Sequence, residues 1–307
     1  MRRYALALLL CLPGCCSSCG CGAAAPLAGG PTPYARCAIA DPPAARSARV
    51  GDLTWRIEDR SLAIEGLPES FPIALARGPA PFRDPVALGS LGPARLLVVL
   101  GSLGDDEATT TANVASLAQL EILTLILAGG RDDPAHLRAA LDALESPARD
   151  RVIDVSALRS VRIGTHLVLV PAAGAPEGRY ARSDTACGLG ADDADTIADA
   201  LGDPAADEQR ILLSWAAPTA IGMEGGDAGS ASIAGLASAI GARHALVAWP
   251  ESHAGRVLAS ADAVTAFAPA LVGPELVRAD GSRAPSRPLL LTIGSSGIGT
   301  TPAPDSP

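Results

Sequence analysis

Lysine is absent from this sequence, so arginine supplies all 24 basic charges, set against 33 acidic ones. With a formal net charge of -9 and no basic stripe, the chain has no electrostatic footing on a phosphate backbone, which excludes a nucleic-acid partner. Aromatic residues are few, at 3% with three tryptophans. Beyond the first residues no apolar run is long enough to cross a bilayer as a helix. No G-x-S-x-G is present, which removes the nucleophile elbow of a serine hydrolase. The glycine-rich run Gly294 to Gly299 has neither the lysine nor the following helix of a phosphate loop. GSLGDD (101–106) lacks the third glycine of a dinucleotide turn and carries acids where a pyrophosphate would approach.

What is present begins with an export signal. Met1-Arg2-Arg3 is a short basic start, and Tyr4 to Leu12 is an apolar run too short to span a membrane in the mature protein. Leu12-Pro13-Gly14-Cys15 follows and resembles a bacterial lipobox, which makes Cys15 the lipidated first residue of an envelope lipoprotein; a secretory signal cut farther on is the alternative. Cys15→Ser should then release the protein from the membrane fraction, because several acyl chains on one terminus hold a protein without a spanning helix. Unchanged attachment, with no lipid label on the wild type, would reject the anchor. Of seven cysteines, five fall within the first 21 residues and have no downstream partner cluster at zinc spacing. Cys37 and Cys187 are left to form one disulfide in an oxidising compartment.

Composition divides the chain into a signal at 1–15, a Gly/Pro/Ala/Ser-rich linker at 16–48, a domain at 49–300 and a disordered tail at 301–307. LTWRI, SLAIEG and FPIALA read as strands, after which apolar strands and helices alternate. LLVVLG leads into EATTTANVASLAQL, and ILTLILAGG leads into PAHLRAALDALES, with Asp133 as N-cap and Pro134 as first helical residue. VRIGTHLVLV suits a hairpin. Helices near 192–201 and 230–240 precede the strands RILLSW and HALVAWP, and Asp280-Gly281 suits a turn before PLLLTIG. Strands ending in glycine loops before helices imply an α/β fold whose ligands gather beyond the strands' carboxyl ends. The late strands GRVLAS, AVTAFAP and PLLLTIG exceed what one parallel sheet needs, so two sheets are expected.

The strand-end loops, in order, are ALARGPAP, VVLGSLGDD, LILAGGRDD, ILLSWAAP and LVAWPESH. From about Ile73 to about Gly297 this series resembles the calcineurin-like metallophosphoesterases, whose strand ends carry D-x-H, G-D-x-x-D, G-N-H-D, a lone histidine and G-H-x-H. The resemblance implies a four-layer αββα sandwich, two mixed β-sheets flanked by helices. It places Ser102 at the metal-bridging aspartate and Asp105 at the second acid of the same motif. Gly130 falls on the asparagine ligand, Arg131 on the catalytic histidine, and Asp132 on the last acid. Trp215 replaces the lone histidine, Trp249 and Glu251 replace the G-H-x-H histidines, and the first motif, near Ala76-Arg77-Gly78, has neither Asp nor His.

Two divalent ions need carboxylates, imidazoles and an amide around them, and glycine, serine, tryptophan and arginine do not supply that set. Arginine adds a fixed positive charge where cations would sit. The expected protein is therefore an exported, lipid-anchored, noncatalytic member of the fold with no cofactor, whose partners are the membrane and a protein or small anionic ligand. Arg131, Trp215 and Trp249 are the candidate ligand-binding residues. The alternative is an active phosphoesterase with divalent metal at an altered site of Asp105, Glu251 and His253. The other histidines, His136, His166 and His244, fall in a helix, after a turn and at a strand start, which suits surface or packing roles.

Overall fold

The computed structural model describes residues 44–78, 91–176, 187–219, 229–249, 256–259, 264–268, 276–277, 281, 283–284, 288–295 and 297–300. Cys15, Cys37, Glu251, His253 and the 301–307 tail lie outside them, and Cys187 is disulfide-bonded. Among the described residues no helix is long and apolar enough to cross a membrane.

Three short antiparallel strands open the domain: β1 (Arg46–Val50), β2 (Leu53–Glu58) and β3 (Ser61–Glu65). In β2 the alternation is complete, with Leu53, Trp55 and Ile57 inside and Thr54, Arg56 and Glu58 outside, as expected of a sheet wet on one face. β1 starts at Arg46, so the folded domain begins inside the stretch assigned to the 16–48 linker. As an edge strand it keeps Arg46 and Ala48 only half-buried, which leaves a weak hydrophobic signal.

The chain then crosses to a second sheet through β4 (Phe71–Ala76), β5 (Leu96–Leu100), β6 (Leu123–Leu127) and β7 (Val152–Asp154), all parallel. β5 and β6 are buried at every residue, which explains their unbroken apolar runs. Helix α1 (Glu107–Ala118) is capped by Asp106, whose side chain accepts from the Thr109 amide at 2.7 Å. α2 (Pro134–Asp142) is capped by Asp133 with Pro134 at its start, and the short α3 (Ala148–Arg151) follows.

The first sheet resumes with the antiparallel hairpin β8 (Ser160–Ile163) and β9 (Leu167–Ala172), turned at Gly164 with φ +58°. A two-residue parallel pair, β10 (Ala175–Pro176) and β11 (Gly188–Leu189), leads to α4 (Ala191–Leu201). β12 (Gln209–Ala216), β13 (His244–Trp249), β14 (Arg256–Ala259) and β15 (Thr265–Ala268) complete that sheet, with α5 (Ala231–Ala239) between β12 and β13 in the chain. β16 (Leu276–Val277) and β17 (Arg283–Ala284) form the hairpin around Gly281, while β18 (Leu289–Gly294) and β19 (Gly297–Thr300) return to the second sheet beside β4. Gly281, with φ +77°, lies in the expected hairpin ahead of β18, and Asp280 lies outside the described residues.

The two large sheets run β1-β2-β3-β8-β9-β12-β13-β15-β14 and β19-β18-β4-β5-β6-β7. They share a core, with Leu75, Val98, Leu100, Leu125 and Leu127 of the second sheet in one cluster with Leu169, Leu213 and Trp215 of the first. The other face of the second sheet, through Ala74, Leu97, Val99 and Ile126, packs on Val114, Leu117 and Leu137 of α1 and α2. β12 is buried on both faces, with α5 packed on it and α4 packed on α5. Helices, sheet, sheet, helices: the expected α/β sandwich with two mixed sheets is the fold.

Candidate functional site

The carboxyl ends of β4, β5, β6, β12 and β13 meet at one place. Just past β4, the Gly78 amide donates to the Gly101 carbonyl at 2.6 Å, and a Cβ at Gly78 would collide with the Ser102 carbonyl oxygen. Gly101 itself has φ +37°, and a Cβ there would press on the Gly129 backbone. Glycine is required at both points because two loop backbones touch.

Asp132 ties these loops together. One carboxylate oxygen accepts from the Leu103 amide at 2.5 Å and the other from the Gly129 amide at 2.6 Å. Asn113 of α1 holds the same loop by donating to the Leu103 carbonyl at 2.5 Å. Burial pushes the Asp132 carboxyl up to about 6, against the two amides, which favour its ionised form. Neighbouring Asp154 is raised by burial as well; it accepts from the Ser156 amide at 2.8 Å, and Ser156 Oγ accepts from the Ala128 amide at 2.8 Å. These are the bonds of a loop scaffold.

Across the gap between the sheets, Trp215 presses its six-membered ring on Gly129, where an added Cβ would collide with the indole. Over the indole lies the Arg77 guanidinium, 5.3 Å from the ring centroid, with Nη1 donating to the Ala248 carbonyl at 2.9 Å. Arg77 and Trp215 are 1% and 2% exposed. A desolvated cation on an indole face gains about 2 kcal/mol or more. The centre of the strand-end cluster is thus a buried guanidinium stacked on a buried indole.

The expected residues are placed as follows. Ser102 is buried, with its hydroxyl unpartnered among the described residues. Asp105 is exposed ahead of α1, and Gly130 is buried in the loop after β6. Arg131 is half-exposed and makes no ion pair among the described residues, so the cation at the centre is Arg77 rather than Arg131. Trp249 is placed by its backbone alone, paired with Ala216. Glu251 and His253 lie outside the described residues, so the alternative metal set is represented only by Asp105. His136 stands 4.0 Å from Asp133, and His166 stands 2.8 Å from Asp207. His244 stacks on Phe267, and burial lowers its pKa.

Few metal-ligating side chains stand at these strand ends among the described residues, and Glu251 and His253 lie outside them. Asp132 and Asp154 are the buried carboxylates bonded into these loops in the described residues; both oxygens of Asp132 accept backbone amides, and Asp154 accepts from Ser156. The remaining groups are a guanidinium, an indole, a hydroxyl and glycines. Among the described residues no three of His, Cys, Asp and Glu stand close enough to share an ion.

No protein-family model and no curated protein matches the chain. Among solved structures, one crystal structure superposes with a TM-score of 0.55 at 10% identity, covering 76% of this chain and 100% of that one. The likeness is one of fold. A second, the crystal structure of TT1561 of Thermus thermophilus, has a TM-score of 0.48 at 15% identity, covering 75% of this chain and 98% of its own.

Proposed function

We propose that this chain is a noncatalytic metallophosphoesterase-fold protein, exported and lipid-anchored at Cys15 in the bacterial cell envelope, with a binding or structural role. The observation that carries the reading is Arg77 on Trp215 at the meeting point of the strand ends, where the family resemblance would put metal. A guanidinium offers a metal ion no lone pair, and its positive charge disfavours a divalent ion beside it. Trp215 is enclosed between Arg77 and Gly129, so an anionic ligand at this end would meet Arg131, which reaches solvent.

The test is to load the purified protein with manganese, zinc or iron and measure bound metal together with hydrolysis of a generic phosphodiester. No retained metal and no turnover are expected. About two equivalents of tightly held metal, with turnover abolished by Asp105→Ala, would establish the alternative of an active phosphoesterase with an altered site.

A further inference from the structure

At the opposite end of the sandwich, where β4, β9 and β12 begin and β18 ends, a cavity of about 740 Å³ opens between the two sheets. Its floor is Phe71, Ile163, Leu167 and Ile293, each at most 8% exposed. Small-molecule sites typically have volumes of roughly 300–1,000 Å³ and mostly apolar walls with a few placed polar groups.

Two carboxylates stand at its mouth. Among the described residues Glu69, Asp207 and His166 line it, and no arginine does. Each carboxylate is held in place through one oxygen: Ser295 Oγ donates to Glu69 Oε1 at 2.8 Å, and His166 Nδ1 stands 2.8 Å from Asp207 Oδ2. Each keeps its second oxygen without a partner among the described residues. The carboxylates come from separate loops, the β3–β4 connection and the α4–β12 connection, and line the same cavity as the apolar floor. The chain's net charge of -9 further favours accumulation of a cation at such a mouth.

We infer that this cavity is a binding site for a small organic cation with an apolar body, the ammonium meeting Glu69 and Asp207 and the body lying on Phe71, Ile163, Leu167 and Ile293. This goes beyond the proposal for the other end of the molecule and does not depend on it.

The experiment compares three probes that share one apolar body, 4-phenylbutylammonium, 4-phenylbutanol and 4-phenylbutanoate, by titration calorimetry on the purified full chain at low ionic strength. The ammonium should bind about tenfold or more tighter than the carboxylate, with the alcohol between them. Salt should narrow the spread. The exposed pair Glu69→Gln and Asp207→Asn should bring the three affinities together, while Ile163→Trp should weaken all of them by filling the floor. Thr165→Trp, at the exposed turn of the mouth, does the same work should the core variant fail to fold. No binding of the ammonium up to its solubility limit, equal or tighter binding of the carboxylate, or a preference that survives loss of both charges would overturn the inference.

Discussion

Truncating Trp215 to alanine is expected to destabilise the protein by about 3–5 kcal/mol, the range for removing a large aromatic from a packed interior. The indole is 2% exposed and closes the gap between the sheets against Gly129. Its loss also removes the ring face on which the buried Arg77 guanidinium rests. Arg77→Met alone should cost less, because a flexible apolar chain fills similar volume and removes the desolvated charge. The double variant should recover about 1–2 kcal/mol relative to the sum of the singles, the signature of a cation-π contact that both destroy. Urea unfolding midpoints on the four proteins supply all the terms. A loss below about 1 kcal/mol in Trp215→Ala would mean that the indole is not packing at the centre of the fold.

The parts of this fold that could be read from the chain are those whose burial is complete or strictly alternating. LLVVL and LTLIL are apolar at nearly every position because both faces of β5 and β6 are covered, one by α1 and α2 and the other by the first sheet. Asp133-Pro134 announces α2 through local chemistry alone. β1 escapes because an edge strand written RSARV has little to bury. The site divides in the same way. The order of strand-end loops is a property of the chain, whereas the residue that fills their meeting point is set by convergence in space. Arg77 follows the buried run FPIALA directly, which is the one local signal that it points inward; arginine is otherwise a surface residue, and in a chain without lysine it is unremarkable. The cavity at the far end is assembled from segments near 69, 163–167, 207 and 293–295, and no periodicity links them.

Asp132 carries the second large effect, and its sign runs against the usual carboxylate. Its folded pKa of about 6 lies above the unfolded value near 3.8, so between those values the folded state binds more protons than the unfolded one. Stability from this group is therefore fully present below about pH 4 and is lost as pH rises through about 6, a change of roughly 3 kcal/mol at 1.36 kcal/mol per unit. Asp154, raised in the same direction by burial, should add to the trend. The comparison that isolates Asp132 is Asp132→Asn, which does not titrate. Its amide can replace one accepting oxygen but turns N–H against either Leu103 or Gly129, both of which donate to the carboxylate. The variant should thus be less stable than wild type at pH 4, and the difference should shrink by about 3 kcal/mol by pH 7. Guanidinium unfolding of both proteins across that range measures it. A difference that stays constant with pH would mean that Asp132 titrates as an ordinary exposed acid, whereas a difference that grows with pH would mean that the two amides outweigh burial and hold its pKa below 3.8.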